Sequence, residues 1–146
     1  RDWVRRNSPD VKVLNLFAYT CAFSVAALQG GAVEVVNVDM SKGALSIGKR
    51  NHELNGGAEG LGVARFLGHN VFKTWGKIRK LGPYGVIIVD PPSYQKGSFV
   101  ASGDYVKVIR RLPSLMETGG KALLCLNAPE LGTDFLQQLV AEAAPG

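Results

Sequence analysis

Short apolar runs alternate with helix-like stretches along the whole chain. The apolar runs have the length of strands and are rich in β-branched residues. They predict buried strands over residues 11–17, 33–38, 62–67, 85–89 and 121–126. The segments between them carry capping residues and apolar positions at helical spacing. This alternation predicts an α/β fold with a doubly wound, mainly parallel sheet.

The predicted helices begin at capping residues and end near glycine or proline. Thr20, Ser41 and Asn70 are the expected N-caps of the first three helices. The apolar stripe of the second helix is predicted to consist of Ala44, Ile47 and Leu54. Further helices are predicted over residues 104–112, ended or kinked by Pro113, and over residues 133–143.

The most sharply defined strand end is at Asp90. An apolar run over residues 86–89 leads directly into Asp90, Pro91 and Pro92. Because proline has no N–H to give a sheet ladder, the strand must stop there. Ligands bind at the carboxyl ends of the strands in open α/β sheets, so we expect Asp90 to be a functional group.

Asp39, Asn70 and the turn after Phe17 are expected at the same edge of the sheet. Asp39 follows the first turn by roughly 20 residues, the spacing of an acid that binds ribose hydroxyls. The turn over residues 17–22 contains no glycine, which disfavours a dinucleotide and hence a nicotinamide oxidoreductase. S-Adenosylmethionine has an adenosine but no phosphate, and its ammonium and sulfonium groups suit carboxylates. This cofactor therefore fits the pattern better.

Composition sets broad limits on the class of protein. The 146 residues are 46% hydrophobic and 20% charged, which is typical of one globular domain without a membrane span. Cys21 and Cys125 lie in apolar surroundings without metal-ligand spacing, so we expect no metal, no disulfide and a cytoplasmic location. The net charge of +5 favours a polyanionic partner, and no oligomeric state is indicated.

The ends of the sequence suggest that it is part of a longer protein. It starts at Arg1 without a methionine, and residues 1–10 are expected to be the end of a linker from a preceding segment. A sheet of this type usually continues beyond its fifth strand. We therefore expect the fold to be truncated at both ends.

Four motifs occur in a characteristic order: VLNLFAYT at residues 13–20, VDMS at 38–41, RNHELNG at 50–56 and DPPS at 90–93. From about residue 11 to residue 127 the chain resembles the bacterial methyltransferases of large-subunit ribosomal RNA, which make 5-methylcytosine or 7-methylguanine. The resemblance implies a Rossmann-like class I methyltransferase domain over residues 1–146. It also implies S-adenosyl-L-methionine as cofactor and RNA, in particular 23S rRNA, as partner.

The resemblance also implies a role for each matching residue. The cofactor contacts that it implies are Phe17, Ala18, Tyr19 and Thr20 at the methionine end, Asp39 at the ribose, and Met40, Ser41, Asn70 and Val71 near the adenine. At the methyl-transfer centre it implies Asp90, Pro91, Pro92, Ser93 and Asn127. Cys21 and Ala22 stand where the family has glycines, and Asn70 where it has an acid, so weaker cofactor binding is one expected consequence.

The target atom is left open between two chemistries. Methylation of cytosine C5 needs a cysteine thiolate, and the position of that cysteine after the fifth strand is occupied here by Asn127. Cys125 lies two residues earlier, on the same strand face, and is interpreted first as a buried hydrophobe. A purine ring nitrogen needs only positioning. We therefore prefer a purine nitrogen over cytosine C5.

Residues for contact with the substrate are predicted near the Asp90 motif. Tyr94 is placed to stack on a flipped base and Lys96 to contact the substrate from a mobile loop. Lys107, Arg110 and Arg111 have the spacing of one helix face and are predicted to contact phosphates. The alternatives are a non-catalytic RNA-binding domain with this fold, and a methyltransferase for a small molecule or a protein.

Overall fold

The computed structural model describes residues 1–55, 62–92, 99–128 and 131–144. Its helices are α1 (Asp2–Asn7), α2 (Ala22–Gln29), α3 (Lys42–Leu54), α4 (Trp75–Leu81), α5 (Ala101–Leu115) and α6 (Thr133–Ala143), with a 3₁₀ turn at Val71–Lys73. Its strands are β1 (Lys12–Leu16), β2 (Glu34–Val38), β3 (Val63–Leu67), β4 (Tyr84–Val89) and β5 (Met116–Leu124).

In the described part of the chain, the five strands form one parallel sheet in the order β3-β2-β1-β4-β5. From β1 the chain first adds β2 and β3 on one side and then β4 and β5 on the other, so the strand order reverses at β1. Parallel neighbours need helical crossovers, and α2 to α5 supply them on the two faces of the sheet. The predicted doubly wound α/β fold is therefore confirmed.

The core consists of two apolar layers on opposite faces of the sheet. Alternate residues of a strand point to opposite faces, so Leu14 and Ile87 enter one layer while Val13 and Val86 enter the other. Every residue of β4 is buried, as expected for an interior strand of a parallel sheet that is covered on both faces. This strand is the rigid support of Asp90.

The first residues of the chain pack on the domain. Helix α1 lies against α2, and its Val4 is fully buried together with Ala26 and Ala27. Residues 1–10, predicted to be the end of a linker, thus include an ordered helix. The connection to a preceding segment remains a prediction.

Two predictions about helix sides and caps are wrong. The N-cap of α2 is Cys21 rather than Thr20, and it has a left-handed conformation with φ of 66°. Helix α3 is capped by Ser41 as predicted, but it buries Ala44, Leu45 and Gly48. Ile47 and Leu54 are 53% and 73% exposed, because α3 turns its small residues toward the turn before α2.

Pro113 was predicted to end or kink its helix, and it does not end it. Helix α5 is 15 residues long and continues to Leu115, because Leu112 and Leu115 are buried and hold its last turn on the sheet. Strand β5 begins at Met116 rather than Lys121, with a register shift opposite Tyr84 and Val86. None of the helices in residues 1–55, 62–92, 99–128 and 131–144 has the length and apolar character needed to cross a membrane.

The contact between Gly48 and Cys21 gives a stability prediction. A Cβ at Gly48 would lie 2.5 Å from the Cys21 Sγ atom, so Gly48→Ala should lower the free energy of unfolding by about 1–3 kcal/mol. The control is Gly43→Ala in the same helix, where no atom lies within 4 Å and a gain of up to about 1 kcal/mol is expected. Denaturant unfolding measures both.

A second background tests the cause of the loss. In Cys21→Ala the sulfur is absent, and the cost of adding Gly48→Ala should shrink markedly. An equal cost of Gly48→Ala in both backgrounds would show that the close contact is not responsible.

Candidate active site

The register of the sheet brings three strand ends to one level. Leu16, the last residue of β1, is paired with Val38 of β2 and with Val89 of β4. The next residues along these three strands are Phe17, Asp39 and Asp90. Their side chains therefore start from adjacent points on the carboxyl edge, where the strand order reverses.

A cavity of about 580 Å³ opens at this edge, a size typical of small-molecule sites. Its lining combines apolar side chains with a few polar groups. The lining residues are Arg1, Phe17, Ala18, Tyr19, Thr20, Ala22, Phe23, Asp39, Met40, Asn70, Val71, Asp90, Pro91, Pro92 and Asn127.

Asp39 organises the floor of this cavity through both of its carboxylate oxygens. The backbone N–H of Tyr19 donates to Oδ2 at 3.0 Å, and the N–H of Ser41 donates to Oδ1 at 2.8 Å. A carboxylate has about four acceptor positions, so two remain for hydroxyl groups of a ligand. The same carboxylate thus fixes the first turn and can bind a diol.

The turn after β1 has an unusual backbone for a stretch without glycine. Phe17, Tyr19 and Cys21 have positive φ angles of 59°, 52° and 66°. Such conformations are costly for residues with a Cβ and persist where the surroundings enforce them. Here the enforcing contacts are the hydrogen bond from Tyr19 to Asp39 and the complete burial of Cys21.

The turn leads into a helix whose first residues face the cavity. Ala22 and Phe23 of α2 line it, and Cys21 makes no side-chain cap to the helix. The first N–H groups of an α-helix have no partner within the helix and attract anions. This end of the cavity is therefore suited to a carboxylate.

Asp90 and Asn127 form a second polar pair at the ends of β4 and β5. The Asn127 amide nitrogen donates to Asp90 Oδ1 at 2.8 Å and to the Pro91 carbonyl at 2.9 Å. Both hydrogens of one NH₂ group are thereby used on two neighbouring acceptors. The pair fixes the orientation of the Asp90 carboxylate at the mouth of the cavity.

The thiol of Cys125 lies beside this pair and is not activated. Partial burial and the negative charge of Asp90 raise the pKa of Cys125 to about 11. A nucleophilic cysteine requires the opposite, a thiolate stabilised by positive neighbours. At neutral pH Cys125 is a neutral thiol.

Most of the site residues predicted from the sequence meet at the cavity. Those that line it are Phe17, Ala18, Tyr19, Thr20, Asp39, Met40, Asn70, Val71, Asp90, Pro91, Pro92 and Asn127. Ser41 does not line it; its hydroxyl accepts the Ala44 N–H at 3.1 Å as the cap of α3. Ser93, Tyr94 and Lys96 lie outside the described residues.

Sequence reasoning missed three lining residues. Ala22 is the last residue of the predicted turn and Phe23 directly follows it, so the start of the helix was a usable signal. Arg1, the first residue of the sequence, also lines the cavity, and nothing in its local pattern indicates this.

The three predicted phosphate-binding cations lie on α5, away from the cavity lining. Lys107, Arg110 and Arg111 are all exposed. Lys107 sits 5.9 Å from the ring centre of Phe72, and Arg111 sits 5.6 Å from that of Trp75. These cation–π contacts connect α5 with the segment that follows Asn70 and Val71.

The described residues contain no cluster of three or more histidine, cysteine, aspartate or glutamate side chains that could hold a metal ion. The open parallel α/β sheet, the acid at the end of β2 and the second acid at the end of β4 together match the Rossmann-like class I methyltransferases.

Comparison with known proteins agrees with this class. A family model for S-adenosylmethionine-dependent methyltransferases matches residues 1–146. The chain therefore belongs to that family, and its cofactor is S-adenosylmethionine, as the sequence predicted. A "Ribosomal RNA large subunit methyltransferase I" from Cronobacter sakazakii is 37% identical over 144 residues, which are 96% of this chain and 36% of that protein.

Solved structures give the same result. A Streptococcus mutans protein described as a candidate S-adenosylmethionine-dependent methyltransferase has a TM-score of 0.86 and 28% identity, covering 97% of this chain and 37% of that one. A candidate methyltransferase in complex with S-adenosylhomocysteine has a TM-score of 0.83 and 28% identity, covering 96% and 37%. The chain spans little more than a third of the length of these relatives.

The double role of Asp39 gives a binding prediction. Asp39→Ala removes a charged acceptor from the cavity and releases the backbone of Tyr19, so S-adenosylhomocysteine should bind roughly 10- to 100-fold more weakly. Titration calorimetry measures the affinity, and circular dichroism checks the fold. Glu53→Ala, an exposed acid on α3, serves as control and should bind normally. Wild-type affinity in a folded Asp39→Ala protein would contradict the assignment.

Proposed function

We propose that this chain is the catalytic domain of an S-adenosylmethionine-dependent methyltransferase that modifies a base of large-subunit ribosomal RNA. The cavity at the carboxyl edge, with Asp39 on one side and Asp90 on the other, is the observation that carries the proposal. The names of the rRNA methyltransferases that the chain resembles support the substrate class.

The cofactor residues divide along the cavity. Asp39 binds the ribose hydroxyls through its two remaining acceptor positions. Met40 and Val71 hold the adenine between apolar surfaces, and the side-chain oxygen Oδ1 of Asn70, already the acceptor of the Phe72 N–H at 3.0 Å, lies nearby. The role predicted for Ser41 is reduced to positioning the backbone beside Asp39, because its hydroxyl is used in the helix cap.

The methionine part of the cofactor belongs at the turn between β1 and α2. The uncapped N-terminus of α2 supplies N–H groups for its carboxylate, and residues 17–20 surround the chain. Asp90 lines the same cavity, and its negative charge attracts the ammonium and sulfonium groups. When bound, the cofactor supplies an electrophilic methyl group.

The contacts of Asn127 favour a ring nitrogen as the methyl acceptor. Asn127 donates to Asp90 Oδ1 and to the Pro91 carbonyl, and its amide supplies neither a thiolate nor a base. A purine ring nitrogen that carries no proton, such as guanine N7, brings its own lone pair and needs no base. The residues around it then act by orientation, which is the main contribution that such a reaction requires.

The protonated state of Cys125 points in the same direction. Addition to cytosine C6 needs a thiolate, and burial together with Asp90 raises the pKa of Cys125 to about 11. Asn127 stands at the other candidate position. Both observations favour purine nitrogen over cytosine C5.

The RNA is proposed to contact α5. Lys107, Arg110 and Arg111 are exposed on this helix, and Asp104 is the one acid paired there with Lys107 among the described ion pairs, at 3.0 Å. The helix is the next one along the chain after Asp90, and its cations lie outside the cavity lining, where they are free to meet the phosphates of an RNA whose target base enters the cavity. Tyr94 and Lys96 keep their predicted roles in base stacking and substrate contact as proposals.

The function is tested by nucleoside analysis of ribosomal RNA. RNA from cells with and without the gene is digested and compared by mass spectrometry, and the purified protein is used to restore the missing mark. Loss of one methylated purine confirms the proposal. Loss of 5-methylcytosine would overturn the target atom, and cofactor binding without any change in RNA would favour a small-molecule or protein substrate. Absence of cofactor binding would favour a non-catalytic RNA-binding domain.

The noncovalent mechanism makes a specific prediction for Cys125. Cys125→Ala removes a protonated thiol that takes no part in the reaction, so kcat should stay within about threefold of wild type. Radiolabelled methyl transfer measures the rate. A folded Cys125→Ala protein with its activity reduced by about a thousandfold or more would establish the covalent route instead.

The α5 cations make a prediction about salt dependence. Arg110→Ala combined with Arg111→Ala should weaken RNA binding and reduce the slope of log affinity against log salt by about 1.4–1.8. The control removes the same charge from α3 with Lys49→Ala and Arg50→Ala. Equal slopes for the two double variants would show that α5 has no special place in RNA binding.

A further inference from the structure

Tyr105 joins the ends of the two strands that carry Asp90 and Asn127. It lies on α5 and is fully buried. Its hydroxyl donates to the Cys125 carbonyl of the β5 end at 2.7 Å and is 3.3 Å from the Val89 carbonyl of the β4 end. One side chain from a helix thus bridges the backbone of the residue before Asp90 and of the residue two positions before Asn127.

The sheet pairing itself extends to these strand ends, where Val89 of β4 is paired with Leu124 of β5, and Tyr105 adds a contact from outside the sheet. The Cys125 N–H donates to the Val89 carbonyl at 2.8 Å, and beyond this bond Asn127 reaches across to Asp90. β5 is the edge strand of the sheet in the described residues, so neighbouring strands hold its end on one side only. A small shift of this end would move the Asn127 amide relative to both of its acceptors.

The ring of Tyr105 connects this contact with the rest of the site. It packs against Phe99 with ring centres 6.0 Å apart, and Phe99 in turn packs against Phe17 of the cavity at 5.2 Å. On the same helix, Lys107 lies two residues further along, above Phe72. A displacement of α5 would therefore be transmitted to both polar residues through one hydroxyl group.

We propose that Tyr105 is a positioning residue that sets the distance between Asp90 and Asn127 by bridging the backbone ends of β4 and β5 from α5. It touches neither cofactor nor substrate and acts through the two residues that orient the target base. The inference rests on the proposed function for its kinetic consequences, whereas the bridging itself can be observed independently.

The test compares two tyrosines that differ only in where the hydroxyl donates. Tyr84, the first residue of β4, is also fully buried. Its hydroxyl donates to the Ile78 carbonyl of α4 at 2.6 Å, and neither residue lines the cavity. Tyr105→Phe and Tyr84→Phe each remove one buried hydrogen bond and keep the ring. Both variants should therefore fold, with similar decreases in Tm.

Activity should separate the two variants. Tyr105→Phe is expected to lower kcat about tenfold and leave the affinity for S-adenosylhomocysteine within twofold, because orientation of the base is lost and the cofactor half is intact. Tyr84→Phe should keep kcat within twofold. Adding Tyr105→Phe to Asn127→Ala should produce no further loss if the hydroxyl acts through this pair. Equal kcat losses in the two tyrosine variants, or independent losses in the double variant, would overturn the proposal.

A spectroscopic measurement tests the bridge without enzymatic turnover. The chain of 15.6 kDa is suitable for NMR, and the side-chain NH₂ of Asn127 gives its own pair of signals. Tyr105→Phe should speed hydrogen exchange of this NH₂ about tenfold, and Tyr84→Phe should not. Unchanged exchange in Tyr105→Phe would refute the bridge. If Tyr105→Phe speeds the exchange but the wild-type protein methylates no RNA, the bridge is retained and the proposed substrate is refuted.

Discussion

The register of the parallel sheet is the constraint on which the rest of the structure depends. Leu16 at the end of β1 is paired with Val38 and with Val89, so three segments distant in sequence end at one level. Parallel pairing places all of these ends at the same edge, and the full burial of β4 keeps them there. A slip of one residue would move Asp90 to the other face of the sheet and dismantle the cavity.

Within that frame, each acid of the cavity is oriented by hydrogen bonds rather than by charge partners. Asp39 accepts from two backbone N–H groups, and Asp90 accepts from an amide side chain. Neither carboxylate is paired with a cation among the described ion pairs. Both therefore keep their negative charge available for a positively charged cofactor, while their directions are set before it arrives. This preorganisation is what a methyl transfer without covalent catalysis requires.

The first turn shows how a missing glycine is compensated. Positive φ angles at Phe17, Tyr19 and Cys21 carry a conformational cost that glycine would avoid. The fold meets this cost with the Asp39 hydrogen bond to Tyr19 and with a pocket for Cys21 against Gly48. Gly48, on the helix that packs against the turn, leaves the space that the Cys21 side chain occupies. The residues of this turn that line the cavity carry side chains, where glycines would leave bare backbone.

The amino-acid sequence by itself determined the order of the elements, the fold class and most of the cavity lining, because strand-sized apolar runs and strand-end acids are local signals. It could not indicate that Pro113 stays helical or that Ile47 is exposed, since packing against distant residues decides both. Nor could it indicate that Ser41, whose hydroxyl accepts the Ala44 N–H in the predicted helix cap, does not line the cavity. Only the tertiary structure decided the Asn127–Asp90 contact and the protonated state of Cys125, because both depend on how the ends of β4 and β5 meet.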